Sequence, residues 1–231
     1  MVKPVVRSAV FTALFALMLP GTTRAATMPV VLELFTSQGC SSCPPANANL
    51  AALSARPDVL ALSFGVTYWD YLGWKDTFAQ PMFTERQKTY ERALGHDGPF
   101  TPQIVVNGHA DVVGADRGEI EHLIAAQPAS HGPDIQLSGD VVFVAAMPNA
   151  KRKTDVWLVR YDPRVIQVPV SSGENSGVTL PHKNVVRSLT NLGVWNGAAA
   201  SFHLPPASEG LSTAILVQTA NGGPILSALK I

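Results

Sequence analysis

The sequence predicts an α/β domain followed by an all-β, sandwich-like domain, and three observations carry that expectation. Strand and helix signals alternate from Pro29 to Gln127, as they do where helices cover a sheet. The tract "QPASHGP", Gln127 to Pro133, then changes to the composition of a linker. Beyond it, short β-prone runs are separated by Gly, Pro, Ser and Asn with no helical period, as in a sandwich of roughly 100 residues. The expected boundaries are a leader at 1–25, domains at 26–127 and 134–231, and a linker at 128–133.

Met1 to Ala25 reads as a secretory signal peptide. Lys3 and Arg7 precede the apolar run "AVFTALFALML", and Thr23 and Ala25 supply small residues at positions −3 and −1 of a cleavage point. The run falls short of the roughly 20 residues that cross a bilayer, and no cysteine at the cleavage point offers a lipid anchor. The expected product is therefore periplasmic or secreted, soluble after cleavage, with no membrane anchor and with its oligomeric state open. Losing Lys3, Arg7 and Arg24 from a chain of 17 basic and 17 acidic side chains leaves a slightly acidic protein. It offers no basic surface to nucleic acid.

The elements of the first half follow in order. "PVVLELF" (Pro29 to Phe35) and "VLALSFGV" (Val59 to Val66) are nearly continuous apolar runs, as in strands covered on both faces. Between them "PPANANLAALSA" reads as a helix. "TERQKTYERAL" is a polar surface helix, and "QIVVNGHADVVG" two short strands turned at Asn107-Gly108. "DRGEIEHLIAAQ" closes the half as a helix. The order β-α-β-α-β-β-α is the skeleton of a thioredoxin-like domain. In the second half "VVFVAAM", "DVWLVRY", "RVIQVPV", "NVVRSL", "ASFHL", "TAILVQ" and "PILSALKI" are the expected strands.

The only two cysteines, Cys40 and Cys43, stand in "GCSSCPP", after the first strand and at the start of the first helix. Export places them in an oxidising compartment. A structural bridge across so short a loop constrains the unfolded chain little. At a helix start, free backbone N–H groups and the helix dipole favour a thiolate. Cys40 is thus the candidate nucleophile, expected to be the more exposed and acidic thiol, and Cys43 the resolving thiol. Pro44 and Pro45 fit a first turn, whose N–H groups have no helical partner.

Other candidates surround this pair. Thr101-Pro102 precedes the third strand, where thioredoxin-like domains carry a cis-proline beside their cysteines. Glu33, seven residues before Cys40, is a candidate proton acceptor if the loop "TSQG" absorbs one residue of spacing; a peripheral strand residue is the other reading. Trp69 and Trp74, in the aromatic stretch Tyr68 to Phe78, are candidates for a substrate groove, although a packed aromatic cap accounts for the same residues. Glu174, Asn175, His182 and Asn184 are placed to face the thiols or simply to hold β-loops.

The motifs "LELFTSQGCSSCPPA", "YWDYLGWKDTFA", "TPQIVVNG", "DVVGADR" and "GENSGVTLPHKNVVR" together resemble the bacterial secreted family called domain of unknown function 1223, from about Val31 to the C-terminus. The resemblance implies a thioredoxin-like fold and export but no reaction. The chain departs from that pattern at Gly65 and Thr67, where His and Asp are usual, and at Asn47, where Asp is usual.

The residues themselves point first to an exported thiol–disulfide oxidoreductase acting on protein or small-molecule thiols and disulfides, with no cofactor and no metal. One alternative is a copper-handling protein, since soft thiolates select Cu(I). Another is a binding module on an inert scaffold. No Ser-His-Asp arrangement, P-loop or dinucleotide fingerprint is present.

Overall fold

A computed structural model describes residues 28–128, 132–148 and 152–231; the expected leader lies outside them. Strands β1 (Val30–Thr36) and β2 (Val59–Gly65) run parallel, in register from Val30 opposite Val59 to Thr36 opposite Gly65. Their side chains alternate between two covered faces, which is why both read as unbroken apolar runs. Leu32 and Leu34 face α1 (Cys43–Leu53) and α3 (Arg117–Ala125), packing with Leu50, Leu53, Ile120 and Ile124. Val31 and Phe35 face α2 (Pro81–Leu94), with Phe83 and Tyr90. Antiparallel to β1 runs β3 (Gln103–Val106), and β4 (Ala110–Val112) returns beside it. Their turn has φ 49° at Asn107 and 62° at Gly108. That pair of positive angles is what an Asn-Gly hairpin turn supplies.

The second half contributes β5 (Ile135–Ser138), β6 (Val141–Val144), β7 (Thr154–Pro169), β8 (Thr179–Trp195), β9 (Ala200–His203), β10 (Ser212–Thr219) and β11 (Ile225–Lys230). Four of them extend the first sheet, giving eight strands in the order β11-β10-β7-β8-β2-β1-β3-β4. The other three form a small sheet, β5-β6-β9, that packs Val142 and Val144 against Val156, Leu158, Ile215 and Val217.

The expected fold, a thioredoxin-like domain followed by a separate all-β sandwich-like domain, is therefore corrected to a mixed sheet running through both halves. β2 pairs with β8 in parallel at Ser63 opposite Val185, and the Asn184 amide donates to the Ala61 carbonyl at 2.8 Å. The core on the α2 face is shared too, with Val31, Phe35 and Leu60 from one half and Val159, Tyr161, Val186 and Leu216 from the other. A single bridge between strands over a hundred residues apart leaves no local period to read.

A second difference has a local cause. "DVWLVRY" and "RVIQVPV" look like two strands because Asp162-Pro163 separates them, yet all of the first and all but Val170 of the second lie in the 16 residues of β7. Register shifts between Asp162 and Val165, leaving Pro163 in an irregularity where a missing N–H breaks no ladder bond. β7 and β8 form a long hairpin whose tip reaches back over the first half. Among the described residues no helix is long and apolar enough to cross a membrane.

Candidate functional site

Cys40 and Cys43 form a disulfide, with Cα atoms 5.5 Å apart. Cys43 is the first residue of α1 and Cys40 lies in the loop before it. Ser42, at the N-cap, makes no side-chain cap bond; its Oγ lies 3.3 Å from Cys40 Sγ instead. A disulfide sulfur only accepts, so the serine hydroxyl donates, and it is placed to donate to a Cys40 thiolate as well. Replacing Ser42 with Ala is expected to move the alkylation of Cys40 to higher pH by about one to two pH units, since a hydrogen bond to a charged group contributes roughly 1.5–3 kcal/mol. The pH profile of alkylation of the reduced protein measures it. An unchanged profile contradicts the role.

The loop carrying Cys40 is tied to the segment after β2 through Gln38. Its backbone N–H donates to Asp76 Oδ2 at 2.7 Å, and its side-chain oxygen accepts from Trp74 Nε1 at 2.9 Å and Thr77 N at 3.1 Å. Asp76 Oδ1 also accepts from the N–H groups of Phe78 and Ala79. Burial pushes the Asp76 carboxyl up, and these N–H bonds pull it back.

The Thr101-Pro102 peptide is cis, Pro102 is buried, and the Thr101 carbonyl oxygen lies 3.9 Å from Cys40 Sγ. The Thr101 hydroxyl bonds the Tyr68 hydroxyl, whose pKa burial raises.

Other candidates lie elsewhere. Glu33 sits on the α2-facing side of β1, with Val31 and Phe35, whereas Leu32 and Leu34 carry α1. The one-residue difference in spacing puts it on the opposite face of the sheet from the helix that starts at Cys43. There it accepts two bonds from Arg86, at 2.7 and 3.0 Å, and one from the Tyr90 hydroxyl. Gln218 completes the group through Arg86 and Tyr90. Glu33 is thus an ion-pair residue of the core, and its expected role as proton acceptor is corrected. Trp69 is half-buried against the α2-side core, and Trp74, also half-buried, donates its N–H to the Gln38 side chain.

The expected exposure of Cys40 is corrected too: Cys40 and Cys43 both have 0% exposure. The β7–β8 tip is bonded to the loop that carries Cys40. Glu174 Oε2 accepts from Ser41 N at 2.9 Å and Ser41 Oγ at 2.8 Å, and these bonds hold its carboxyl below the usual range. Asn175 Nδ2 donates to the carbonyls of Gln38 and Cys40, both at 2.9 Å. Of the other two residues noted in that stretch, Asn184 holds β8 to β2. His182 packs edge-on against Phe78, ring centroids 5.4 Å apart, and its Nε2 has no hydrogen-bond partner among the described residues.

His182 gives the hairpin base a pH dependence. Desolvation holds its pKa down to about 4, against about 6.5 in an unfolded chain. The unfolded protein then binds a proton that the folded one refuses, so stability falls as pH drops from about 6.5 to about 4, by up to roughly 3 kcal/mol. Below that window the loss is complete. Urea unfolding at stepped pH should show this slope in the wild type and lose it in His182→Leu; a slope kept by the variant contradicts the assignment.

Sequence reasoning gave Gln38 no role and placed Asp76 only among the solvated or paired charges of the aromatic stretch. Asp76 has a usable signal, because an Asp shortly before a helix bonds the N–H groups two and three residues on. The departure at Gly65 has a steric counterpart: a Cβ there would stand 2.8 Å from Ala79 N, so the chain before α2 packs directly on the glycine. Asn47, one turn beyond Cys43 on α1, is buried, and its Nδ2 has no hydrogen-bond partner among the described residues.

Known structures resemble this one over most of its length. The crystal structure of protein AGR_C_4864 from Agrobacterium tumefaciens is 34% identical, covers 90% of this chain and 96% of its own, and superposes with a TM-score of 0.74. HBP35 of Porphyromonas gingivalis is 15% identical, with coverage of 90% and 76% and a TM-score of 0.58, a likeness of fold alone. No curated protein matches. The family model described as "Protein of unknown function (DUF1223)" matches residues 31–218, and the chain belongs to that family.

Proposed function

We propose that the protein is an exported thiol–disulfide oxidoreductase working through Cys40 and Cys43 in the periplasm or outside the cell. The observation that carries this reading is the disulfide between two cysteines separated by Ser-Ser, closed at the first turn of α1 and flanked by the Ser42 hydroxyl and the Thr101 carbonyl. A substrate thiolate attacks Cys40 Sγ, forming a mixed disulfide as the Cys40–Cys43 bond breaks and Cys43 leaves as thiolate. A second substrate thiolate attacks the substrate's own sulfur, forming the substrate disulfide and releasing the Cys40 thiolate. Two electrons pass to the enzyme, and the two protons given up by the substrate thiols are matched by two taken up at Cys40 and Cys43. Run backwards, the same steps reduce a disulfide. Residues 36–42 and the Thr101 backbone orient the attacked sulfur; the helix start and Ser42 favour its thiolate.

The test is turnover. Oxidised protein with a model dithiol peptide, and reduced protein with a model disulfide, should each exchange faster than the uncatalysed mixture. Failure of both, together with tight stoichiometric Cu(I) binding, replaces the reading with metal handling.

A further inference from the structure

We infer that the β7–β8 tip is a gate over the disulfide, latched by Glu174 and Asn175, so that an attacking thiol reaches Cys40 only when the tip lifts. The inference rests on the exchange reading above and names its control element. Exchange requires a thiolate to reach a sulfur along the S–S axis. With 0% exposure at both cysteines, the closed form offers no such approach.

The latch consists of polar bonds from tip side chains to the loop that carries Cys40 and to its neighbour. Glu174 holds Ser41, Asn175 holds the Gln38 and Cys40 carbonyls, and Ser172 Oγ donates to the Gly73 carbonyl at 2.6 Å. Glu174 and Ser41 are exposed, so water replaces their bonds readily when the tip moves.

The tip is also complete in itself. Gly177 N donates to the Val170 carbonyl, Val170 N to Val178, Ser176 N to Gly173 and Val178 N to Asn175, so it keeps its shape without the loop beneath. Positive φ at Gly173 (75°) and Gly177 (82°) permits that tight turn. Below it, Val168, Val170 and Leu180 pack with Trp74, Phe78 and Ile166, an apolar base about which a rigid tip swings. In the closed form Gly173 of the tip packs on Trp74, where an added Cβ would stand 3.3 Å from Trp74 Cβ. Breaking the latch opens the site and leaves this base intact.

The experiment measures reduction of the protein's own disulfide, which needs no substrate turnover. Oxidised full chain, wild type and Glu174→Ala/Asn175→Ala, is mixed with excess dithiothreitol, quenched with an alkylating agent and scored by intact mass. The double variant should be reduced at least tenfold faster, with a thermal midpoint lowered by only a few degrees, as the loss of the latch bonds alone implies. Equal rates overturn the gate. If the double variant melts early, Glu174→Gln carries the test: it keeps the side chain's shape but weakens its bonds to Ser41, so a rate rise of a fewfold is expected, and a rate equal to wild type overturns the gate. A fast-reducing variant that, like the wild type, turns over no peptide leaves the gate standing and removes the exchange reading.

Discussion

Replacing Cys40 with Ser is expected to reduce exchange to background, a loss of at least ~1,000-fold, because a serine hydroxyl is not ionised near neutral pH and forms no disulfide. Cys43→Ser should behave differently. It leaves Cys40 able to attack and nothing to resolve the product, so the variant should accumulate a mixed disulfide with substrate, visible as an added mass on the intact chain. The two outcomes together assign the roles. Adduct on Cys40→Ser and none on Cys43→Ser would reverse them, and neither variant differing from wild type would separate the reaction from these cysteines. The structural basis is asymmetric: Cys40 Sγ lies against Ser42 Oγ at 3.3 Å and the Thr101 carbonyl at 3.9 Å, while Cys43 begins α1.

The second large effect concerns stability. Glu33 and Arg86 are buried together at 0% and 9% exposure, paired through two bonds and joined by Tyr90 and Gln218. Arg86 also lies over the Trp157 ring, 5.5 Å from its centroid. Glu33→Ala strands a guanidinium in the core and should cost about 3–5 kcal/mol of unfolding free energy. Glu33→Leu combined with Arg86→Met removes both charges and should recover most of that, because buried pairs gain little over apolar packing of similar volume. Urea denaturation measures both. A loss below about 1 kcal/mol in the single variant would show that the pair is not what holds β1 to α2. Folded Glu33 variants should also keep their exchange rate; a selective loss of rate would restore Glu33 to the chemistry.

These residues show how far the sequence could be read. The two parallel strands, the places of the three helices and the Asn-Gly turn were legible because each leaves a local mark, although α2, expected as a polar surface helix, buries Phe83, Arg86, Gln87 and Tyr90 in the core. The cysteine pair was legible for the same reason. The joining of β8 to β2 was not, because it rests on Ser63 opposite Val185 and one Asn184 side chain. Glu33 was misplaced by one residue of spacing, which in a strand exchanges the two faces. Glu174 and Asn175 stood out as residues that either face the thiols or hold a β-loop, and the sequence could not choose, because their reach to Ser41 and Cys40 depends on β7 and β8 being long enough to carry the tip across the sheet. The length of β7 was hidden by Pro163.

The most direct test of the central claim is the reduction potential of the Cys40–Cys43 pair, measured by equilibrating the purified chain in glutathione buffers of graded ratio and counting alkylated cysteines by mass. A redox-active pair should show a single two-electron transition between about −120 and −270 mV, the span of known disulfide oxidoreductases. A pair that stays oxidised below about −300 mV, where structural disulfides lie, would contradict the account.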